Sequence, residues 1–447
     1  MNSILPGRDS VAVRQLTLLV TLMVFDVTEV AAQFEFERPP IDYHQRQSND
    51  RVARLKRRIQ AGSASIPDGT SRDILRSLLA ELQIPESSQL LVFSKTSLQL
   101  RQISPSSPRA IYFNEDSYVG WVQGGSVIEI LAVDPELGSV FYTLPLTGVD
   151  PRRLVRDRGE CLSCHATRRT QSVPGLLVRS MYVEASGLPM FDAGSLTSDH
   201  RTPLPDRWGG WYVTGNPGTM KHRGNLIGGP DHVRARMNSM DSARRSSLAD
   251  LVDTTPYLRD SSDLVALLIL DHQTQMHNAL TRAHYECLSA EHYDRTLNRA
   301  LNREDVRSES TQRRIRKAGD QLLHFLLFCD EYPLSSKISG DEEFVRDFES
   351  TGRKDRHGRS LKDLDLSKRL FRYPCSYLIQ SRSFAQLPDS MRDYVLGRLE
   401  RILSGADPDE QFSHLDRSTR YAIREILDDT SPGLLPAATD PESGQDP

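Results

Sequence analysis

The chain has 447 residues, of which 38% are hydrophobic and 26% charged, a balance that supports a real globular core. Its formal net charge of −4 offers no domain-wide basic excess to neutralise phosphates, which argues against a nucleic-acid binder. No stretch after the first few dozen residues reaches the roughly 18 apolar residues that a membrane-spanning helix needs.

The N-terminus reads as an export signal. Arg8 and Arg14 form a basic start, Leu16 to Phe25 (LTLLVTLMVF) a short apolar run, and Val30-Ala31-Ala32 a small-residue cleavage site before Gln33. Asp26 and Glu29 depart from the usual pattern, and an uncleaved anchor is the alternative. After a polar, Pro-containing lead (33–50), Asn49-Asp50 marks the cap of a short basic helix over 51–59. Thr70 caps a second helix, whose apolar positions Ile74, Leu75, Leu78, Leu79 and Leu82 share one face until Pro85 ends it.

From Gln89 to Leu144 the period changes to short runs rich in β-branched and aromatic residues, separated by turn residues. Gly124-Gly125 and Asp134-Pro135-Glu136-Leu137-Gly138 read as turns, so a small antiparallel sheet is expected here. Trp121 is expected as a core aromatic of that sheet, with packing against a cofactor as the alternative. A basic stretch (Arg152, Arg153, Arg156, Arg158) follows, read as a helical turn. Its arginines either form a solvated face or pair with carboxylates of a bound group.

That stretch leads into Cys161-Leu162-Ser163-Cys164-His165. C-x-x-C-H is the attachment pattern for a c-type haem: two thiols add to the two vinyl groups, and the adjacent imidazole binds the iron. At these five residues the chain resembles the c-type cytochromes. The resemblance extends to Val173-Pro174-Gly175-Leu176-Leu177, which is similar to the loop that packs on the proximal side in that family. It implies a backbone carbonyl accepting the Nδ1 proton of His165, which leaves Nε2 for iron. The order here is Pro-Gly, where the family more often has Gly-Pro.

One motif implies one covalent haem c, held by Cys161 and Cys164 with His165 as proximal ligand. For the opposite face of the iron the leading candidate is His222, in a Gly-rich loop 57 residues after the motif histidine, with Met220 and Met190 equal after it; spacing alone does not decide among them. His272, Met276 and His277 on a later helix, or an open iron, are the further alternatives. Residues 178–230 read as a loop-rich crevice wall, and the chain turns helical from about Asp241. Helices are expected over 263–290, 312–328, 342–348, 370–383, 390–403 and 416–427, before an acidic tail. Arg313, Arg314, Arg316 and Lys317 beside an apolar run suit an ordinary amphipathic core helix better than a membrane-surface helix.

The expected fold class is α+β, mainly helical. Its parts are a signal peptide (1–32), an N-terminal α+β region (33–150), a cytochrome c-like haem-binding region (151–240), a helical region (241–436) and a disordered tail (437–447). The function expected is that of an exported, periplasmic or extracellular monohaem cytochrome passing electrons between unidentified redox partner proteins, with no nucleic acid and no obligatory membrane association. The alternative is a haem-dependent oxidoreductase, peroxidase-like or the cytochrome subunit of a dehydrogenase, in which His272, His277, Asn278 and Arg282 supply acid-base and charge-stabilising groups. Non-haem readings are a zinc site at Cys161, Cys164 and His165, or a thioredoxin-like thiol pair. Cys287, Cys329 and Cys375 read as buried structural cysteines, with at most one disulfide among them.

Overall fold

The computed structural model describes residues 34–148, 153–239, 244–304 and 306–435. The expected export signal, Asp150-Pro151, Arg152 and the acidic tail lie outside the described residues. The fold is mixed α+β: a six-stranded antiparallel meander near the N-terminus, a two-stranded hairpin after the motif, and a C-terminal array of helices.

Two helices come first, α1 (Arg51–Gln60) and α2 (Ser71–Glu81). Asp50 caps α1 by accepting from the Ala53 amide at 2.8 Å. Thr70 and Asp73 form a capping box at the start of α2. The sheet follows: β1 (Leu90–Val92), β2 (Arg109–Phe113), β3 (Ser117–Trp121), β4 (Val127–Asp134), β5 (Gly138–Pro145) and β6 (Val155–Arg156). Asp134 makes the β4–β5 turn by accepting the amides of Glu136 and Leu137, both at 2.9 Å, and Gly138 supplies the left-handed backbone at φ 69°.

The stretch read as a helical turn before the motif is instead β6. Arg156 pairs with Tyr142 of β5, and its guanidinium donates to the backbone carbonyls of Arg46 and Tyr43. Those carbonyls fix the arginine in an extended segment, so Arg156 is a structural anchor. Trp121 lies on the sheet face opposite Gly120 and Glu129, buried, with its ring edge-on to Tyr257 at 5.7 Å. It is a core aromatic.

The motif forms a single turn, α3 (Leu162–His165). The region read as loop contains β7 (Val178–Met181) paired with β8 (Ser195–Ser198), then α4 (Pro230–Ser239), which starts earlier than the expected helical onset. The long helix α5 (Leu264–Ala300) overruns its expected end by a further 10 residues and is capped by Asp263, whose carboxylate accepts the Val265 and Ala266 amides at 2.9 Å. Every residue from Leu264 to Thr281 is buried, so α5 is the central post of the molecule rather than a one-sided surface helix.

The remaining helices are α6 (Glu309–Leu326), α7 (Glu342–Ser350), α8 (Arg382–Ala385), α9 (Asp389–Ser404) and α10 (Arg417–Thr430). The helix expected over 370–383 does not form; only a short 3-10 turn at Tyr377–Gln380 and the single turn α8 are present. Pro374 explains this, because it lacks an amide proton and biases Tyr373 to an extended backbone. The basic end of α6 is anchored through Arg314 to Glu286 of α5, and its apolar face is buried, so it is a core helix. One contiguous hydrophobic core links the sheet, α5 and the C-terminal helices. Among the described residues no helix is long and apolar enough to cross a membrane.

Candidate functional site

The motif sits at one end of the sheet, over β5. The His165 ring packs on Phe141 with centroids 5.0 Å apart. Phe141 lies on the same face as Leu131 and Tyr118, its cross-strand neighbours through β4 and β3. Within α3 the His165 amide donates to the Cys161 carbonyl at 3.0 Å, which sets cysteine and histidine one turn apart. Both thiols are unpaired; Cys161 is half-buried and Cys164 exposed.

A short loop closes under the imidazole. His165 Nδ1 meets the Gly175 carbonyl at 2.9 Å, and the Gly175 amide donates to the His165 carbonyl at 2.8 Å. The first bond requires the proton on Nδ1, since a carbonyl only accepts. Nε2 is thereby left as the lone-pair nitrogen, and it makes no hydrogen bond among the described residues. The loop is pinned in turn. Thr170 Oγ1 donates to the Val173 carbonyl at 2.9 Å. Asn278, fully buried on α5, accepts the Leu176 amide at 2.9 Å and donates to the Leu176 carbonyl at 2.7 Å.

Electrostatics agree with this neutral imidazole. Burial pushes His165 below its ordinary value and Arg109 adds to that, while the Gly175 carbonyl and Glu129 pull the other way. Burial, with Asp157 and Glu129, pushes the Cys161 thiol up to about 12. Among the described residues no three His, Cys, Asp or Glu side chains converge as a set of ligands for a metal ion.

Beside His165 the sheet face is incompletely covered. Arg109, Ile111, Glu129, Thr143 and Val155 are half-buried or exposed, while the next row along the strands (Phe113, Tyr118, Leu131, Phe141) is buried. Gly120 adds no side chain to that shelf, and Arg109 pairs with Glu129 across it at 2.9 Å. The residues present fit a covalently attached haem. Two free thiols stand one turn apart, a histidine has Nδ1 anchored and Nε2 open, and a partly apolar shelf borders them.

The candidates for the iron's other face are His222, Met220 and Met190. His222 is half-buried with its ring 5.4 Å from Trp208; its Nδ1 is buried and has no hydrogen-bond partner among the described residues. Burial pushes it down to about 4, so it is a neutral ligand-type imidazole. Met220 is buried, and Met190 is half-buried beside Gly229. No hydrogen bond or ring contact among the described residues joins any of the three to His165.

Of the four acid-base and charge-stabilising candidates on α5, His272, His277 and Arg282 hold separate partners. His272 is sealed in the core, stacked on Phe328 at 4.0 Å, with Nε2 2.8 Å from Ser376 Oγ and Nδ1 3.3 Å from His200 Nδ1. His277 Nε2 donates to the Glu115 carbonyl at 2.8 Å. Arg282 pairs with Glu286 one turn along the helix at 2.8 Å. Asn278, the fourth of these candidates, reaches the motif loop instead, where it holds Leu176 through a contact 102 residues away that the sequence does not show. Cys287, Cys329 and Cys375 are buried free thiols. Comparison of the chain with protein-family profiles, with curated proteins and with solved structures found no match.

Proposed function

We propose that this chain is an exported monohaem c-type cytochrome: Cys161 and Cys164 hold one haem c through thioether bonds, His165 is its proximal ligand, and the protein passes electrons between redox partner proteins. The observation that carries this reading is the pairing of His165 Nδ1 with the Gly175 carbonyl at 2.9 Å directly beneath a C-x-x-C-H turn. That bond selects the tautomer in which Nε2 can bind iron and raises its basicity. When bound, the haem supplies a one-electron ferric/ferrous couple. The chain's own part is to fix the imidazole, present two thiols, and border the site with the half-exposed sheet shelf. A carrier role is favoured over an acid-base enzyme because His272, His277 and Arg282 are each committed to other partners. Export follows from the chemistry, since haem c is attached outside the cytoplasm.

The test is a comparison of the wild type with the double variant Cys161→Ala/Cys164→Ala, both produced with export and haem-maturation machinery. Haem absorbance should resist acid extraction in the wild type and be extractable or absent in the variant. Equal retention in both would sink the assignment of the attachment site.

A further inference from the structure

Asn278 stands on the central helix, in the sequence far from the motif, yet it closes the ring of contacts beneath it. The carbonyl that receives His165 Nδ1 and the amide that Asn278 Oδ1 receives belong to the same peptide group, Gly175–Leu176. The chain of donors therefore runs His165 Nδ1–H to Gly175 C=O, then Leu176 N–H to Asn278 Oδ1. Hydrogen bonds in such a series polarise one another: an amide whose N–H is accepted carries a more basic carbonyl. Asn278 also donates to the next carbonyl, that of Leu176, at 2.7 Å, so one side chain holds both backbone polar groups of Leu176. The fit is tight. A Cβ on Gly175 would stand 2.9 Å from Asn278 Cγ and 2.9 Å from Thr170 Cβ. Asn278 itself is fully buried, one turn from Thr274 and Arg282 on a helix locked in the core, so this grip is rigid.

We propose that Asn278 is a positioning residue for the iron ligand: by fixing and polarising the Gly175–Leu176 peptide it sets the strength of the His165 Nδ1 bond, and through it the reduction potential. This rests on the haem reading above. A stronger Nδ1 bond makes the imidazole a better donor to ferric iron and lowers the potential; loosening it raises the potential.

The test compares full-length wild type with Asn278→Leu and Asn278→Asp, each matured with haem. Covalent haem content is measured first and a potentiometric titration second. Asn278→Leu removes both bonds to Leu176 at similar volume. It should keep its haem and shift the reduction equilibrium toward the ferrous form by on the order of tenfold, about 59 mV for one electron. Asn278→Asp keeps the size and offers a stronger acceptor to the Leu176 amide while giving up the donor to the Leu176 carbonyl, and should shift the equilibrium the opposite way. The raised potential of Asn278→Leu carries the distinction from a merely structural residue, because that variant adds no charge, whereas an added carboxylate also lowers the potential through space. Covalent haem with potentials unchanged within twofold overturns the role of Asn278 and leaves the haem reading standing. A wild type without covalent haem overturns the haem reading and this inference with it. Should Asn278→Leu fail to accumulate, Asn278→Asp decides alone, and an unchanged or raised potential overturns the proposal.

Discussion

Gly175→Ala and Gly397→Ala make the same chemical change with opposite expected results. At Gly175 an added methyl would meet Asn278 Cγ and Thr170 Cβ, both at 2.9 Å, closer than real Cβ contacts come. Neither neighbour is free to move. Thr170 Oγ1 is bonded to the Val173 carbonyl, and Asn278 is bonded twice to Leu176. Overpacking of this kind costs about 1–3 kcal/mol. Pushing Asn278 off Leu176 leaves buried polar groups unsatisfied at a further cost of about 1–3 kcal/mol. The lower chain entropy of alanine in the unfolded state offsets about 0.4–1 kcal/mol of this. The net expectation is a loss of about 1–6 kcal/mol. At Gly397, in the exposed middle of α9, an added Cβ meets nothing within 4 Å. There alanine should stabilise by about 0.5–1 kcal/mol. Urea unfolding of both variants and the wild type, followed by circular dichroism at matched haem content, measures the two differences. A Gly175→Ala change within about 0.5 kcal/mol of wild type would refute the close packing beneath His165.

Three further outcomes are expected. Asp271 is fully buried and accepts from Ser198 Oγ at 2.7 Å, Trp208 Nε1 at 3.0 Å and the buried Arg207 at 3.2 Å. Asp271→Asn strands that guanidinium and should cost about 3–5 kcal/mol in urea unfolding, whereas a loss under 1 kcal/mol would show the pair to be dispensable. Burial pushes the Glu331 carboxyl up to about 7, while its Oε1 accepts the Leu370 amide at 2.8 Å. Because the folded value exceeds the unfolded one, the unfolded chain releases its proton first, and stability falls as pH rises from the ordinary glutamate value toward 7. Glu331→Gln keeps an acceptor for Leu370. It should match wild type in acid and exceed it by about 3 kcal/mol above neutrality, and parallel pH profiles would contradict this. For the iron's other face, His222→Ala should alter the ferric coordination bands, with Met220→Ala and Met190→Ala as comparators; unchanged bands in all three would remove the loop around His222 from ligation.

The elements with a local signature could be read before the fold was known. The box at Thr70 and Asp73, the turn at Asp134 to Gly138 and the apolar periodicity of α2 are set by neighbours within a few residues. The carbonyl that meets His165 is expected from the resemblance of the C-x-x-C-H turn and the Pro174-Gly175 loop to the c-type cytochromes, and it is that of Gly175. What failed depended on distant partners or on one overlooked breaker. Arg156 is extended because carbonyls at Tyr43 and Arg46 claim it. The run after Leu370 looked helical by its apolar spacing but contains Pro374. The β7–β8 hairpin lies in a segment whose Gly and Pro content masked two four-residue strands. Asn278 could be named only as a charge-stabilising candidate in the polar run of α5, because its contact with Leu176 lies 102 residues away.

The central claim is that haem is bonded covalently to Cys161 and Cys164. The most direct measurement is the visible spectrum of the wild-type polypeptide after acid extraction of protein matured in an exporting host. Haem absorbance that stays with the polypeptide is the predicted result. A colourless polypeptide, with all haem in the extract or none bound at the start, would contradict it.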